Sequence, residues 1–427
     1  MINNRVVREY QFLNSFRVNK LQAFFAFFAL IYSVLSPVKA ACEVFEFKHI
    51  PDSKYRILSV VDQAVFINGI LSHRAEILNR AAVETTEAAG DRGRYAAVFQ
   101  TSERVVYDYQ RETQTSLSGF EWSGEYESEY VRDRLGSITI APRYFMPVVR
   151  NVPAFPDRTL NPGDKWYLPA HEVHDFRDSF GIAEPYVIPF NAFYEYLGER
   201  EWKDVSYPAF SVNYNIESRP VPVLGRLYPV RISGTFKQLV YWNRALGREA
   251  AYEEEFRITF TMSDGNRYEF RGTAYAEVIE SGQMNKEELI AEIIDEIKQL
   301  DIAGVSVTAV DEGVTINLEN IQFYADSNRM LPGEQAKLEK IAEILRRFPD
   351  RDIVVSGHAA NLGERDYLMR LSQDRARAVA DYLLSRNVRA PDRVVIRGYG
   401  ADRPIADNST IAGQQRNRRV EITILEN

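Results

Sequence analysis

One cysteine in 427 residues, Cys42, leaves the chain no intramolecular disulfide, so its stability must come from packing. Histidine is scarce as well. The five present are scattered, and no nucleophile stands beside a paired base, so we expect neither an enzyme nor a bound cofactor. An excess of positive charge is also missing: 52 Lys and Arg against 60 Asp and Glu give a net charge of −8, which argues against a nucleic-acid partner. The absence of low-complexity tracts and internal repeats speaks against disordered and solenoid architectures. Nor is there an apolar run long enough for a permanent membrane-spanning helix.

The longest apolar run, Ala23 to Leu35, follows Arg5, Arg8, Arg17 and Lys20. Such a pairing reads as an export signal, residues 1–40, with Val38 and Ala40 at the positions a signal peptidase inspects and Ala41 as the mature start. Five basic residues and one acidic give those 40 residues a net charge of +4, so the exported part carries −12. Cys42 stands where a lipoprotein would bear its acyl anchor, but Lys39 occupies the position where a lipobox has an aliphatic residue. Lipidation at Cys42 is therefore the minor alternative.

What the sequence does hold is enough apolar material for more than one core: 45% hydrophobic residues, with 24 Tyr and 24 Phe. From about Glu43 to Glu280 it is strand-like, for example Tyr55 to Val61, Gly136 to Ala141, Phe210 to Ile216 and Glu255 to Thr261. Turn signals at Asn161 to Asp164 and Ser263 to Asn266 separate such runs, the second fitting a hairpin that pairs Thr261 with Tyr268. This predicts an antiparallel β-rich region over residues 41–283, with a candidate split into two subdomains near 151–160, where Pro153 and Pro156 fall. Trp122, Trp166, Trp202 and Trp242 all lie in that region. Core packing is the default reading of these aromatics, and a sheet that holds a lipid or another apolar ligand is the alternative.

After Ser281 and Gly282 the period changes. Leu289, Ile293, Ile297 and Leu300 form one helical stripe that Asn285 can cap, so a joint between domains is expected near 281–285. Then strand and helix alternate: strand Val314 to Phe323, helix Pro332 to Phe348, strand Ile353 to Gly357, helix Leu368 to Ser385, strand Val394 to Gly398 and strand Val420 to Leu425. The order is βαβαββ on a mixed sheet, giving an α+β chain overall, with residues 284–427 as the second domain. Residues 301–427 hold 18 basic and 19 acidic side chains, so the acidity resides in the preceding part.

Four segments of this last third occur in the order of a known family: Phe323 to Ser327, Ser356 to His358, Leu371 to Val379, and Gly398 to Gly400 followed by Pro404, Gly413 and Asn417 to Ile422. Over about residues 314–425 the chain resembles the OmpA and MotB C-terminal domain, which anchors envelope proteins to peptidoglycan. The resemblance implies a clamp for the diamino acid of the stem peptide, an acid engaging its amine and an arginine its carboxylate. Charge-assisted pairs of this kind contribute about 1.5 to 3 kcal/mol each. It implies Arg375, Arg419, Asp326 and His358 as contacts, with Asn361 a further candidate from this chain's own residues, and a periplasmic location at the outer membrane or cell wall.

Three positions depart from the family pattern. Where the family has Gly-His-Thr-Asp this chain has Gly357, His358, Ala359 and Ala360; the asparagine seven residues before the arginine is Leu368; and an Asp frequent after the first phenylalanine is Tyr324. Two readings follow. Asn361, Glu364 or Asp366 supplies a displaced polar partner, or binding to the stem peptide is weakened or lost and the domain serves to contact other outer-membrane or periplasmic proteins. We favour weakened binding, since losing one charged partner at about 2 kcal/mol is about thirtyfold in affinity.

Other signals are weaker. His171 and His174 with Asp175 and Asp178 lack metalloprotease spacing and read as a polar loop, so no metal is expected. Gly398 and Gly400 mark a turn, with no helix behind them to complete a dinucleotide site. Asn408 to Thr410 is a glycosylation sequon only in a host that glycosylates.

Overall fold

The computed structural model describes residues 42–108, 113–114, 119–221, 227–280, 284–319, 321, 323–324, 329–349 and 351–426. The expected export signal with Ala41, the joint residues Ser281 and Gly282, and Asp326 with Ser327 lie outside the described residues. The chain divides into two compact units: Met1–Gln100 with Asp108–Arg111 and Glu125–Val278, and Thr101–Tyr107 with Glu112–Gly124 and Ile279–Asn427.

Up to residue 280 the chain is built on long strands: β1 Lys54–Ile67, β2 Ile70–Ala89, β3 Arg92–Asp108, β4 Phe120–Asp133, the short β5 Ile138–Ile140 and β6 Val149–Arg150, β7 Lys165–His174, β8 Tyr186–Trp202, β9 Val205–Ser218, β10 Pro229–Asn243, β11 Arg248–Met262 and β12 Arg267–Glu280. From β6 to β12 each strand pairs antiparallel with the next; β12 then pairs β1, and β1 pairs β2. Alternation drives this arrangement. Along β9, Phe210, Val212, Tyr214 and Ile216 are buried while Asn213 and Asn215 face out. The rings of Phe190, Tyr214 and Phe236, on β8, β9 and β10, stack with centroids 4.1 and 4.6 Å apart.

Two local expectations need correcting. The β11–β12 hairpin pairs Thr261 with Arg267 and Phe260 with Tyr268, one residue away from the expected register. The Met262 amide donates to Asn266 O, and Gly265, in left-handed conformation, donates to Met262 O, so the loop closes on three residues and the pairing shifts. His171 and His174 lie in strand β7 and not in a polar loop. Glu172 and His174 are buried there, 2.9 Å apart, while Asp175 pairs with Arg177 in the one-turn helix α1 Arg177–Phe180. The Asp178 side chain lies outside the described residues, and among those described no group of three His, Cys, Asp or Glu could hold a metal. Within residues 151–160, Phe155 and Leu160 enter a buried cluster with Phe45, Phe47 and Trp242.

The rest of the second unit opens with helix α2 Lys286–Gln299, capped by Asn285 Oδ1, which accepts from the Glu288 amide at 3.1 Å. Strands β13 Val305–Val310 and β14 Gly313–Glu319 form a hairpin, followed by helix α3 Pro332–Arg346, strand β15 Ile353–Gly357, helix α4 Arg365–Ser385, strand β16 Val394–Gly398, helix α5 Ile411–Asn417 and strand β17 Arg419–Leu425. Within this part of the chain the sheet order is β13–β14–β17–β15–β16, with β15 and β16 parallel and joined by α4 as crossover. The expected βαβαββ order is present, with β13 and α5 added. Leu338, Ile341 and Leu345 of α3 are fully buried in the core, as their spacing demands.

The outer edge of β16 takes one more neighbour. The start of β4 pairs parallel to it, Phe120 with Val395 and Glu121 with Ile396, and this stretch belongs to the second unit. Glu121 pairs with Arg377 of α4 at 2.6 Å, and the Arg397 guanidinium stacks 3.4 Å from the Trp122 ring centre. Trp122 therefore packs within the second unit, whereas Trp166 and Trp242 pack within the first.

Candidate functional site

The family motifs meet where β15 and β16 end. A parallel strand pair joined by a helix opens a crevice at its carboxyl ends, and close approach of backbones there demands glycine. A Cβ on Gly357 would stand 2.0 Å from Ser372 O, and one on Gly398 would stand 2.8 Å from the Gln373 amide nitrogen. Ser372 Oγ accepts from the Gly400 amide at 2.8 Å, and Gly400 O accepts from the Ala359 amide at 2.7 Å. The Gly398 to Gly400 turn thus ties both strand ends to α4. A helix does follow, but α5 starts only at Ile411, after several further turns, so it cannot complete a dinucleotide loop.

One group of polar residues forms at the His358 end. The His358 ring is buried, stacks on Tyr399 at 5.0 Å, and brings Nε2 within 3.2 Å of Glu421 Oε2. Arg419, also buried, donates from Nε to Glu421 Oε1 at 2.7 Å and from Nη2 to Arg403 O at 3.2 Å. Burial lowers the His358 pKa, so the ring stays neutral at neutral pH. Burial pushes the Glu421 carboxyl up, but its contact with His358 and the Arg419 guanidinium outweigh that and hold it at about 2. Sequence reasoning missed Glu421. The available signal was its spacing: two residues from Arg419 on a strand, it shares that side chain's face.

A second set of family positions includes Arg375 on α4. Its guanidinium lies 5.1 Å from the Phe323 ring centre, which joins the first family motif to the third. Leu368, seven residues earlier, falls on the same helix face and is buried. Ala359 and Ala360 are buried as well, at 4% and 3% exposure. Tyr324 is exposed beside the Arg329 guanidinium. Asn361, Glu364 and Asp366 are all exposed; the Asn361 amide donates to Asn408 Oδ1 at 3.1 Å. Asp326 lies outside the described residues. Cys42, in the first unit, carries a free and exposed thiol.

Chemically, Arg375 is a guanidinium held on an aromatic ring, a group suited to a carboxylate. A fixed carboxylate exists in Glu421, but both its oxygens are already engaged by Arg419 and His358. Ala359, Ala360 and Leu368 offer no charge to an ammonium group.

The OmpA family model matches residues 322–418. The chain is similar to the probable lipoprotein YiaD of Escherichia coli (strain K12), 38% identical over 28% of this chain and 55% of that protein. It is 38% identical to the peptidoglycan-binding protein ArfA of Mycobacterium tuberculosis over 24% of this chain and 32% of that one. The chain spans about half or less of the length of these two relatives. A peptidoglycan-associated lipoprotein of Brucella melitensis is covered more fully, at 35% identity over 29% of this chain and 73% of its own length. Among solved structures, an outer membrane protein from Borrelia burgdorferi B31 aligns at 33% identity over 28% of this chain and 96% of that one, with a TM-score of 0.24. With its motifs in order and a relative matched across most of its length, the chain belongs to the OmpA family through its C-terminal domain.

Proposed function

We propose that this is an exported, non-enzymatic protein of the cell envelope whose C-terminal unit contacts the peptidoglycan stem peptide weakly, through Arg375 and the Arg419 end of the site. The observation that carries this reading is that Arg375 is held over Phe323 while Ala360 and Leu368, at positions that are polar in the family pattern, are buried and apolar. An ammonium placed there sheds water without gaining a partner, which offsets much of what the arginine contributes. Several relatives bear names that place them in the outer membrane or on peptidoglycan. Among the described residues no helix is long and apolar enough to cross a membrane. Residues 1–40 would direct export, with Cys42 as an anchor only if it is acylated. An intact domain with a weakened clamp would equally serve to hold other envelope proteins.

Co-sedimentation of the full mature chain with purified sacculi tests the reading. The unaltered chain should sediment weakly, and Ala360→Asp with Leu368→Asn should strengthen binding roughly ten- to hundredfold, the worth of one charge-assisted pair. Arg375→Ala should abolish that gain. Tight binding by the unaltered chain that survives Arg375→Ala would overturn the proposal.

A further inference from the structure

A second charged site lies in the first unit, far along the sequence from the family motifs. A shallow recess, with only about 10 Å³ enclosed and the rest open to solvent, is lined by Phe47, Ser53, Tyr55, Tyr95, Arg132 and Arg248 among others. Its enclosed part admits little more than one oxygen-sized group, so a large apolar ligand does not fit inside it. Two guanidiniums face it. That of Arg132, on β4, lies 4.5 Å from the Phe47 ring centre, and that of Arg248, at the start of β11, lies 4.0 Å from the Tyr55 ring centre. Two strands thus hold both cations against aromatic walls.

The charged side chains that line the recess are Lys48, Arg132 and Arg248. The Arg132 Nε is buried with no hydrogen-bond partner among the described residues. Glu249 acts on Arg132 only across a distance, and Asp133 Oδ1 is occupied by the amides of Leu135 and Ser137. Arg248 Nη1 donates to Ser53 Oγ at 3.4 Å, which sets that guanidinium at the recess wall. Burial keeps the Tyr55 hydroxyl protonated and able to donate. A guanidinium fork with an unsatisfied donor, a second guanidinium and a phenolic donor around a small opening match a tetrahedral oxyanion.

We propose that this recess binds the oxyanion head of a phosphate-bearing ligand, with Arg132 as the principal contact and Arg248 as the second. The head inserts an oxygen into the enclosed part, and the remainder of a larger ligand stays in the open mouth. Free phosphate and a lipid phosphate share this chemistry, and the experiment separates them.

Calorimetric titration of the full mature chain with inorganic phosphate, and flotation with phosphatidylcholine vesicles containing phosphatidic acid, form the two arms. Saturable binding in either arm is expected, weakened roughly ten- to hundredfold by Arg132→Met and less by Arg132→Lys. Arg200→Met, which removes an exposed cation of β8, should leave it unchanged. Binding of phosphate alone identifies a soluble ligand, and binding of the vesicles alone identifies a lipid surface; both support the site. Should Arg132→Met fail to fold, phosphate-induced protection from hydrogen exchange around Arg132 and Arg248 in the unaltered chain decides. No binding in either arm, or binding indifferent to Arg132 and without such protection, overturns the proposal.

Discussion

Glu254 is buried in the first unit, where Gln238 Nε2 donates to its Oε1 at 2.8 Å and no cation pairs with it among the described residues. Burial raises its pKa to about 8 against the pull of the Gln238 contact, and nearby Glu172 adds to the rise. The folded state therefore holds a proton that the unfolded chain, with an ordinary carboxyl near 4.5, gives up earlier. Stability from this group is whole below about pH 4.5 and falls as pH rises towards 8, by several kcal/mol at most. Glu254→Gln keeps the shape and a polar contact while removing the ionisable group. Thermal melts of the variant should show a flatter pH dependence between 5 and 8 and a higher midpoint at pH 8, on the order of a few kcal/mol of stabilisation. A parallel pH profile in the two proteins would mean that Glu254 finds a counter-charge or water on ionising.

At the scale of elements, the edge of β16 is covered by the start of β4, which Phe120 anchors with its side chain buried and Glu121 secures through Arg377. An uncovered edge strand exposes a row of unpaired amides and invites pairing with other chains. Phe120→Asp should uncover it: hydrogen exchange across Val394–Gly398 should quicken by about tenfold or more, and the protein should associate more readily, read by exchange mass spectrometry and light scattering. Unchanged protection would show that β16 needs no neighbour there. This pairing also marks the reach of the sequence. The stripe Leu289, Ile293, Ile297 and the cap Asn285 are legible because a helix repeats locally, and β15 and β16 are legible because short β-branched runs end at glycine. The link from Phe120 to Val395 joins residues far apart in sequence and leaves no local period, so nothing announces it. His171 to His174 misleads for a related reason: a polar-looking run becomes a buried strand when residues elsewhere in the sheet cover it. In the candidate site Arg375, Arg419 and His358 are legible from motif order, whereas the engagement of Glu421 requires knowing which face of β17 turns towards His358.

The whole molecule joins two units, each with a carboxyl whose pKa is shifted, and the two respond to pH in opposite senses. In the second unit Glu421 is held at about 2 against an ordinary 4.5, so it contributes stability above pH 4.5 that is lost as pH falls towards 2. The difference is worth about 3 kcal/mol at most, since the side chain retains 22% exposure. In the first unit Glu254 acts the other way, its contribution whole in acid and lost towards pH 8. Calorimetry of the full mature chain should consequently resolve two transitions whose order depends on pH: acidification below pH 4 lowers the transition of the second unit, and alkalinisation to pH 8 lowers that of the first. Glu421→Gln should remove the acid sensitivity of one transition and leave the other in place, while Glu254→Gln should remove the alkaline sensitivity of the other alone. A single transition that shifts as one in both variants would show that the two units unfold as a cooperative whole, and would sink the claim that each carries its own pH response.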